Sequence, residues 1–145
     1  MLIYLDNCCF NRPFDDQSQV RVLLETEAKL VVQDRIRSNK LRLVWSYMMD
    51  FENDANPFED RRLSISMWRS LASVDVSESD EVIGRAEALG VLGFKPKDAI
   101  HLSCAIQAGC GIFLSTDTGI VKKAGLVPEL VILNPVDYDF TYNDD

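Results

Sequence analysis

Short apolar runs alternate along the sequence with longer stretches in which apolar residues recur at helical spacing. The short runs are typical of strands, and the spaced stretches are typical of helices that bury one face. Strands are predicted over residues 1–5, 41–45, 74–76, 111–116 and 131–133. Helices are predicted over residues 18–38, 47–53, 58–71, 80–89, 97–109 and 118–124. This alternation predicts an α/β fold in which helices cover a parallel sheet.

The sequence contains no internal repeat and no linker long enough to separate two domains. A chain of 145 residues can bury one core without disulfides or structural metals. We therefore predict a single domain over residues 1–136. Residues 137–145 are acidic and aromatic, and we predict that they form a loosely ordered tail. Residues 7–16 are polar and contain a proline, and they are predicted to form a loop.

The bulk composition narrows the class of protein. No apolar run approaches the roughly 18 residues that cross a bilayer, and no basic region precedes the first apolar run, so we expect neither a membrane span nor a signal peptide. The cysteines form no C-x-x-C pair and only one histidine is present, which favours free thiols in a reducing cytoplasm over a zinc site. The net charge of −8 argues against non-specific coating of nucleic acid, but it does not exclude a nuclease.

Four acidic residues lie at the ends of predicted elements. Asp6 and Asp117 each follow an apolar run, and parallel strands bring such residues to one edge of the sheet, where open α/β folds bind ligands. Glu52 lies on the short helix after the second strand, and Asp98 lies in the first turn of its helix. Two unit charges 4 Å apart repel by about 4 kcal/mol at an effective dielectric of about 20. Such a cluster must take up protons or bind a cation, and carboxylates favour Mg²⁺ or Mn²⁺.

The residues around these acids form four characteristic segments. They are Ile3–Asp6, Trp45–Glu52, Lys97–Leu102 and Leu114–Asp117. Within the second segment, Ser46 stands six positions before the acid. In order and spacing, over roughly residues 1–135, the sequence resembles the PIN-domain ribonucleases, which include the VapC-type toxins of toxin–antitoxin pairs.

This resemblance implies a three-layer α/β/α PIN-like fold around a parallel sheet of about five strands. It also implies an endoribonuclease centre that depends on Mg²⁺ or Mn²⁺ and cleaves an RNA substrate. The catalytic, metal-binding residues would be Asp6, Glu52, Asp98 and Asp117. The residues that orient them through hydrogen bonds would be Ser46, Ser115 and Asn7. Many members are homodimers that a small antitoxin inhibits. The resemblance therefore implies a homodimer and a small antitoxin protein as partner.

Two positions depart from the family pattern. Asn7 stands where many members have threonine or serine, and Gly119 stands where many have a fifth acid. The leaner cluster predicts weaker metal binding or a single ion. Asp50 lies two residues before Glu52 and is an alternative ligand, although on a helix it points to another side.

Residues near the predicted site allow two interpretations each. Arg12 could hold a substrate phosphate through its planar guanidinium, and Lys97 could contact the RNA backbone, or both could be solvated surface charges. His101 follows Asp98 by three residues, and its position on an apolar helix favours a packing role over a catalytic one.

The sequence leaves other functions open. The main alternative is a non-catalytic PIN-like module that binds RNA or a protein, because the fifth acid is missing. A phosphoacceptor receiver domain is disfavoured, because Asp6 is followed by Asn7 rather than by another acid and the last strand is not followed by lysine.

Overall fold

The computed structural model describes residues 1–142. The strands are β1 (Leu2–Leu5), β2 (Arg42–Ser46), β3 (Ala72–Val76), β4 (Ile112–Leu114) and β5 (Val131–Leu133). The helices are α1 (Asn7–Asn11), α2 (Val20–Arg37), α3 (Tyr47–Asp54), α4 (Glu59–Ser66), α5 (Asp80–Val91), α6 (Pro96–Gln107), α7 (Thr118–Val121) and α8 (Pro135–Tyr142). Short 3₁₀ turns cover Arg12–Phe14, Met67–Leu71 and Ala124–Leu126.

The five strands form one sheet in the order β3-β2-β1-β4-β5, and every neighbouring pair is parallel. Strand β1 is central, with Tyr4 in register with Val44 of β2 and Phe113 of β4. The ends of β2, β1 and β4 therefore meet at one edge, which confirms that the chain directly after these strands converges there. The α/β fold with a parallel sheet of five strands is confirmed.

The core explains why helices cover the sheet on both sides. Ile3, Tyr4 and Leu5 are at most 1% exposed, although alternate residues of a strand point to opposite faces. A strand buried on both faces needs a helical layer above and below it, which is the three-layer arrangement. Helix α5 packs against α6, and α2 packs against α8.

Two segments are more regular than the sequence suggests. Residues 7–16, predicted to be a loop, contain α1 and a 3₁₀ turn, because Asp6 accepts a hydrogen bond from the Asn7 backbone N–H at 2.8 Å and caps the helix. Helix α1 also buries Cys9 and Phe10, which anchor it to the core.

The predicted loose tail is also partly wrong, because residues 137–142 lie in α8. The Asn134 side chain accepts a hydrogen bond from the Val136 backbone N–H at 2.9 Å, and Pro135 occupies the first helical position, where its fixed backbone angle suits a helix. Residues 143–145 of that prediction lie outside the described residues. Within residues 1–142, each helix is too short or too polar to cross a lipid bilayer.

Candidate metal centre

All four predicted acids line one open cavity at the carboxyl edge of the sheet. The cavity has a volume of about 340 Å³. Its lining residues are Asp6, Asn7, Cys8, Asn11, Asp15, Glu52, Asp98 and Asp117. Four different elements or element ends thus place carboxylates around a common space. The alternative ligand Asp50 does not line it, because its carboxylate accepts a hydrogen bond from the Trp45 indole and pairs with Arg69.

Asp6 is the most constrained of these acids. Its Oδ1 accepts a hydrogen bond from the Asn7 backbone N–H at 2.8 Å, and its Oδ2 accepts one from the Ser115 hydroxyl at 2.9 Å. The Cys8 thiol lies 3.4 Å from the same Oδ2. With 5% of its surface exposed, Asp6 is held in one orientation by its own loop and by the end of β4. Asn7 orients Asp6 through its backbone rather than through its side chain.

Asp117 is linked to Asp6 through Ser115. The Ser115 hydroxyl oxygen accepts a hydrogen bond from the Asp117 backbone N–H at 3.0 Å, and the same hydroxyl donates a hydrogen bond to Asp6. One Asp117 oxygen accepts a hydrogen bond from the Gly119 N–H at 2.8 Å and thereby caps α7. A Cβ atom at position 119 would lie 3.1 Å from that oxygen, so a side chain there would crowd Asp117.

Glu52 ends a buried chain of hydrogen bonds that crosses the sheet edge. Glu52 bonds to Nε2 of His101, Nδ1 of His101 lies 2.5 Å from the Tyr4 hydroxyl, and that hydroxyl lies 2.6 Å from the Ser46 hydroxyl. The Met49 backbone N–H donates to Ser46 at 3.4 Å. One direction of donation satisfies every partner: Ser46 to Tyr4, Tyr4 to Nδ1, and Nε2–H to Glu52. Ser46 therefore acts on Glu52 at a distance, through Tyr4 and His101.

His101 is completely buried, yet it lies among carboxylates. Burial lowers its pKa, but the hydrogen bond to Glu52 and the negative charges of Asp6, Glu52 and Asp98 outweigh burial and raise the pKa above the ordinary value. Its Nε2 also lies 3.8 Å from Oδ1 of Asp6. The packing role favoured from the sequence is therefore incomplete. The spacing of three residues between Asp98 and His101 indicates that the histidine lies near the acids, because it places both side chains on neighbouring parts of α6.

The repulsion among the acids is most evident in the pKa of Asp98. Partial burial raises its pKa, the charges of Asp6 and Asp117 raise it further, and the result is a pKa of about 6. Asp98 forms no salt bridge with lysine or arginine within residues 1–142. The repulsion expected from the sequence is thus present in the folded protein.

The donor atoms of this site fit a divalent cation. One ligand atom each from Asp6, Glu52 and His101 lies within 4.8 Å of the other two. This tight group contains two carboxylates and an imidazole, whereas Asp98 and Asp117 line the same cavity without belonging to it. Carboxylate oxygens suit Mg²⁺ and Mn²⁺, whereas both ring nitrogens of His101 are already engaged by Tyr4 and Glu52.

Other residues near the cavity have defined partners. Arg12, predicted to contact substrate, donates to Glu25 at 2.9 Å and to Asp15 at 3.0 Å, so its guanidinium is already engaged. Asp15 is a cavity acid that the sequence did not single out, and it pairs with Arg61 as well. The Nζ of Lys97 lies 5.5 Å from the centre of the Phe51 ring. Substrate contacts by Arg12 and Lys97 stay predictions.

Solved structures share this architecture at low sequence identity. A chain of VapBC2 from Rickettsia felis, solved bound to a DNA fragment from its promoter, matches with a TM-score of 0.60 and 12% identity over 92% of this chain and 98% of that chain. A chain of FitAcB from Neisseria gonorrhoeae matches with a TM-score of 0.58 and 15% identity over 92% of this chain and 97% of that chain. No protein-family model and no curated protein matches the sequence. These likenesses establish the fold.

Proposed function

We propose that this protein is a metal-dependent endoribonuclease that hydrolyses RNA phosphodiester bonds, either the toxin of a toxin–antitoxin pair or a relative of such toxins. The observation that carries the proposal is the cavity shared by Asp6, Glu52, Asp98 and Asp117. The likeness to chains of VapBC2 and FitAcB supports the toxin assignment and a small antitoxin as partner. A homodimer and a cytoplasmic location remain part of the proposal.

The carboxylates of Asp6 and Glu52, with Asp98 and Asp117, would hold Mg²⁺ or Mn²⁺. A bound divalent ion would supply a water of lowered pKa and would neutralise charge on the phosphate. Ser115 keeps Asp6 and Asp117 in fixed orientations through its two hydrogen bonds. His101, which is itself completely buried, fixes the Glu52 carboxylate through their hydrogen bond.

The charge of the cavity explains why a cation must come before the substrate. Phosphate is negative, and within residues 1–142 only His101 forms a salt bridge with the four acids. RNA would therefore be repelled until a cation enters. This order of binding predicts no RNA affinity at the site in the presence of a chelator.

The test is cleavage of labelled RNA by the purified protein with Mg²⁺ or Mn²⁺. We expect Asp6→Asn and Asp98→Asn each to reduce the rate by more than about 100-fold, because residues that only hydrogen-bond to a metal ligand typically cost up to about 100-fold. Asp54→Asn is the matched control, because it removes the same charge from an exposed position on the helix that carries Glu52. Full activity in Asp6→Asn or Asp98→Asn would remove the proposal.

The non-catalytic binding module remains the alternative, favoured by Gly119 at the position of the fifth acid. It predicts calorimetric binding of Mn²⁺ to the wild-type protein and loss of this binding in Asp6→Asn, with no RNA cleavage by either protein.

A further inference from the structure

A second, larger cavity is lined by the residues on either side of Asp117 in the sequence. It has a volume of about 540 Å³, and Thr116 and Thr118 line it, whereas Asp117 between them lines the acidic cavity. The same stretch of backbone, residues 116–118, thus contributes to both cavities. A polymer chain bound with its reacting group near Asp117 would place its next unit at this second cavity.

The walls of this cavity combine apolar surface with a few polar groups, as ligand pockets do. The apolar walls come from Val20, Leu24, Val121 and Val136. Lys122 is exposed and also lines the cavity, where it can approach a phosphate. Asp137 also lines the cavity and is exposed, so its negative charge disfavours ligands that carry several negative charges.

Arg21 is fixed in this cavity before any ligand arrives. Its Nε donates to Glu25 at 3.3 Å, and its terminal nitrogen donates to the Thr116 carbonyl at 2.7 Å. Glu25 is itself buried and accepts hydrogen bonds from Arg12 and Asn134. The Arg21 side chain nevertheless remains 54% exposed. A guanidinium held at two points and open to solvent offers a rigid planar surface and a free donor edge.

A flat ring with a polar edge and one attached phosphate matches these features. Apolar walls and a guanidinium plane suit the faces of a nucleobase, and unpaired bases of RNA are the ones that can stack in this way. Lys122 suits the phosphate. A base-paired helix does not present its base faces, so the pocket would select single-stranded RNA.

We infer that the cavity between Arg21, Thr118 and Val121 binds one unpaired nucleotide of the RNA next to the bond that is cleaved. The inference rests on the proposed nuclease function, and it adds a site that reads the base. It makes Arg21 and Val121 determinants of the cleavage sequence, without a role in the chemistry at Asp6.

The first experiment measures nucleotide binding without metal or turnover. The wild-type protein, with chelator present, is titrated with each of the four nucleoside 5′-monophosphates while its methyl resonances are followed by NMR. We expect saturable shifts at Val121 and Val136 with a Kd of about 1 mM, and different affinities for different bases. Ribose 5-phosphate and inorganic phosphate serve as probes without a base, and equal shifts from either of them would overturn base recognition.

Three substitutions of valine by phenylalanine provide the variants. Val121→Phe fills the cavity, and Val20→Phe does so from a residue that is 71% exposed and therefore safe for folding. Val91→Phe is the control at an 87% exposed position on α5. We expect the first two to weaken nucleotide binding by at least about tenfold and the control to bind as the wild type does. Unchanged binding in both cavity variants would overturn the inference.

The outcome is separable from that of the cleavage assay. Nucleotide binding in a protein that cleaves no RNA would refute the nuclease and leave a nucleotide pocket. An active nuclease without saturable nucleotide shifts would refute the pocket alone. In an active nuclease, Val20→Phe should change the preferred base beside the cleaved bond while a divalent cation binds as tightly as before.

Discussion

Glu25 and the acidic cavity handle negative charge in opposite ways. Glu25 is 1% exposed, but Arg12, Arg21 and Asn134 all donate to it. In the cavity, within residues 1–142, Asp98 and Asp117 have no lysine or arginine within salt-bridge distance. Glu25 is thus compensated by two arginines, whereas the partly buried Asp98 and Asp117 are not.

The difference separates structural acids from functional ones. A buried charge without partners would destabilise the fold. The partners of Glu25 are Arg12 before α2, Arg21 on α2 and Asn134 directly after β5. Asp98 and Asp117 tolerate incomplete compensation because they are only partly buried and water reaches them, and the raised pKa of Asp98 reflects the remaining repulsion. A cation bound in the acidic cavity can remove that repulsion, whereas the charge of Glu25 is already balanced by Arg12 and Arg21.

The largest expected effect comes from removing the compensated acid. Glu25→Ala leaves Arg12 and Arg21 without their shared partner, and we expect it to lower the free energy of unfolding by about 3 kcal/mol. Urea unfolding measures this change. Glu27→Ala, at an exposed position on the same helix, should stay within about 0.5 kcal/mol of the wild type. A loss below about 1 kcal/mol for Glu25→Ala would mean that the network is not structural.

The next effect comes from adding the cation that the cavity lacks. Mn²⁺ at 100 times its Kd should stabilise the wild-type protein by about 2.7 kcal/mol, because it binds only the folded state. Thermal unfolding at matched ionic strength measures the gain, which chelator should reverse and Asp6→Asn should abolish. Equal stabilisation of the wild type and Asp6→Asn would show that the ion binds elsewhere.

The smallest effect comes from deleting one uncompensated charge. Because the pKa of Asp98 is raised to about 6 in the folded protein, the folded state holds its proton more tightly than the unfolded state does. Stability therefore falls as pH rises through the window from the ordinary pKa of aspartate to about 6, and the cost is complete above it. Without metal, Asp98→Asn should be more stable than the wild type by about 1 kcal/mol at neutral pH and equal to it in strong acid.

Urea unfolding at both pH values checks this result. Asp54→Asn should show no comparable gain at neutral pH, because its position is exposed and outside the cavity. Added Mn²⁺ should reverse the order of Asp98→Asn and the wild type. A destabilised Asp98→Asn without metal would contradict the uncompensated charge inferred for the cavity.

The sequence predicts the sheet and the edge where the acids meet, because apolar runs and helical spacing are local patterns. Asp6 and Asp117 were accessible to this reasoning, since each directly follows a strand. The link from Tyr4 to His101 was not accessible, because it depends on which face of α6 packs over β1. The engagement of Arg12 by Glu25 was equally hidden, since a loop arginine has many possible partners.

Helix α1 shows the same limit at shorter range. Five residues have little intrinsic tendency to form a helix, and the polar segment with a proline favours a loop. Its formation depends on the Asp6 cap and on burial of Cys9 and Phe10, which are tertiary contacts. The helix α8 depends likewise on its packing against α2.

The loop between β4 and α7 is anchored at each of its three residues. Ser115 bonds to Asp6, the Thr116 carbonyl accepts from Arg21, and Asp117 bonds to the Gly119 backbone. The loop therefore loses its conformational entropy when the protein folds, and not when a ligand binds. A loop that is rigid beforehand loses no freedom on association, so even a few weak contacts there can give measurable affinity.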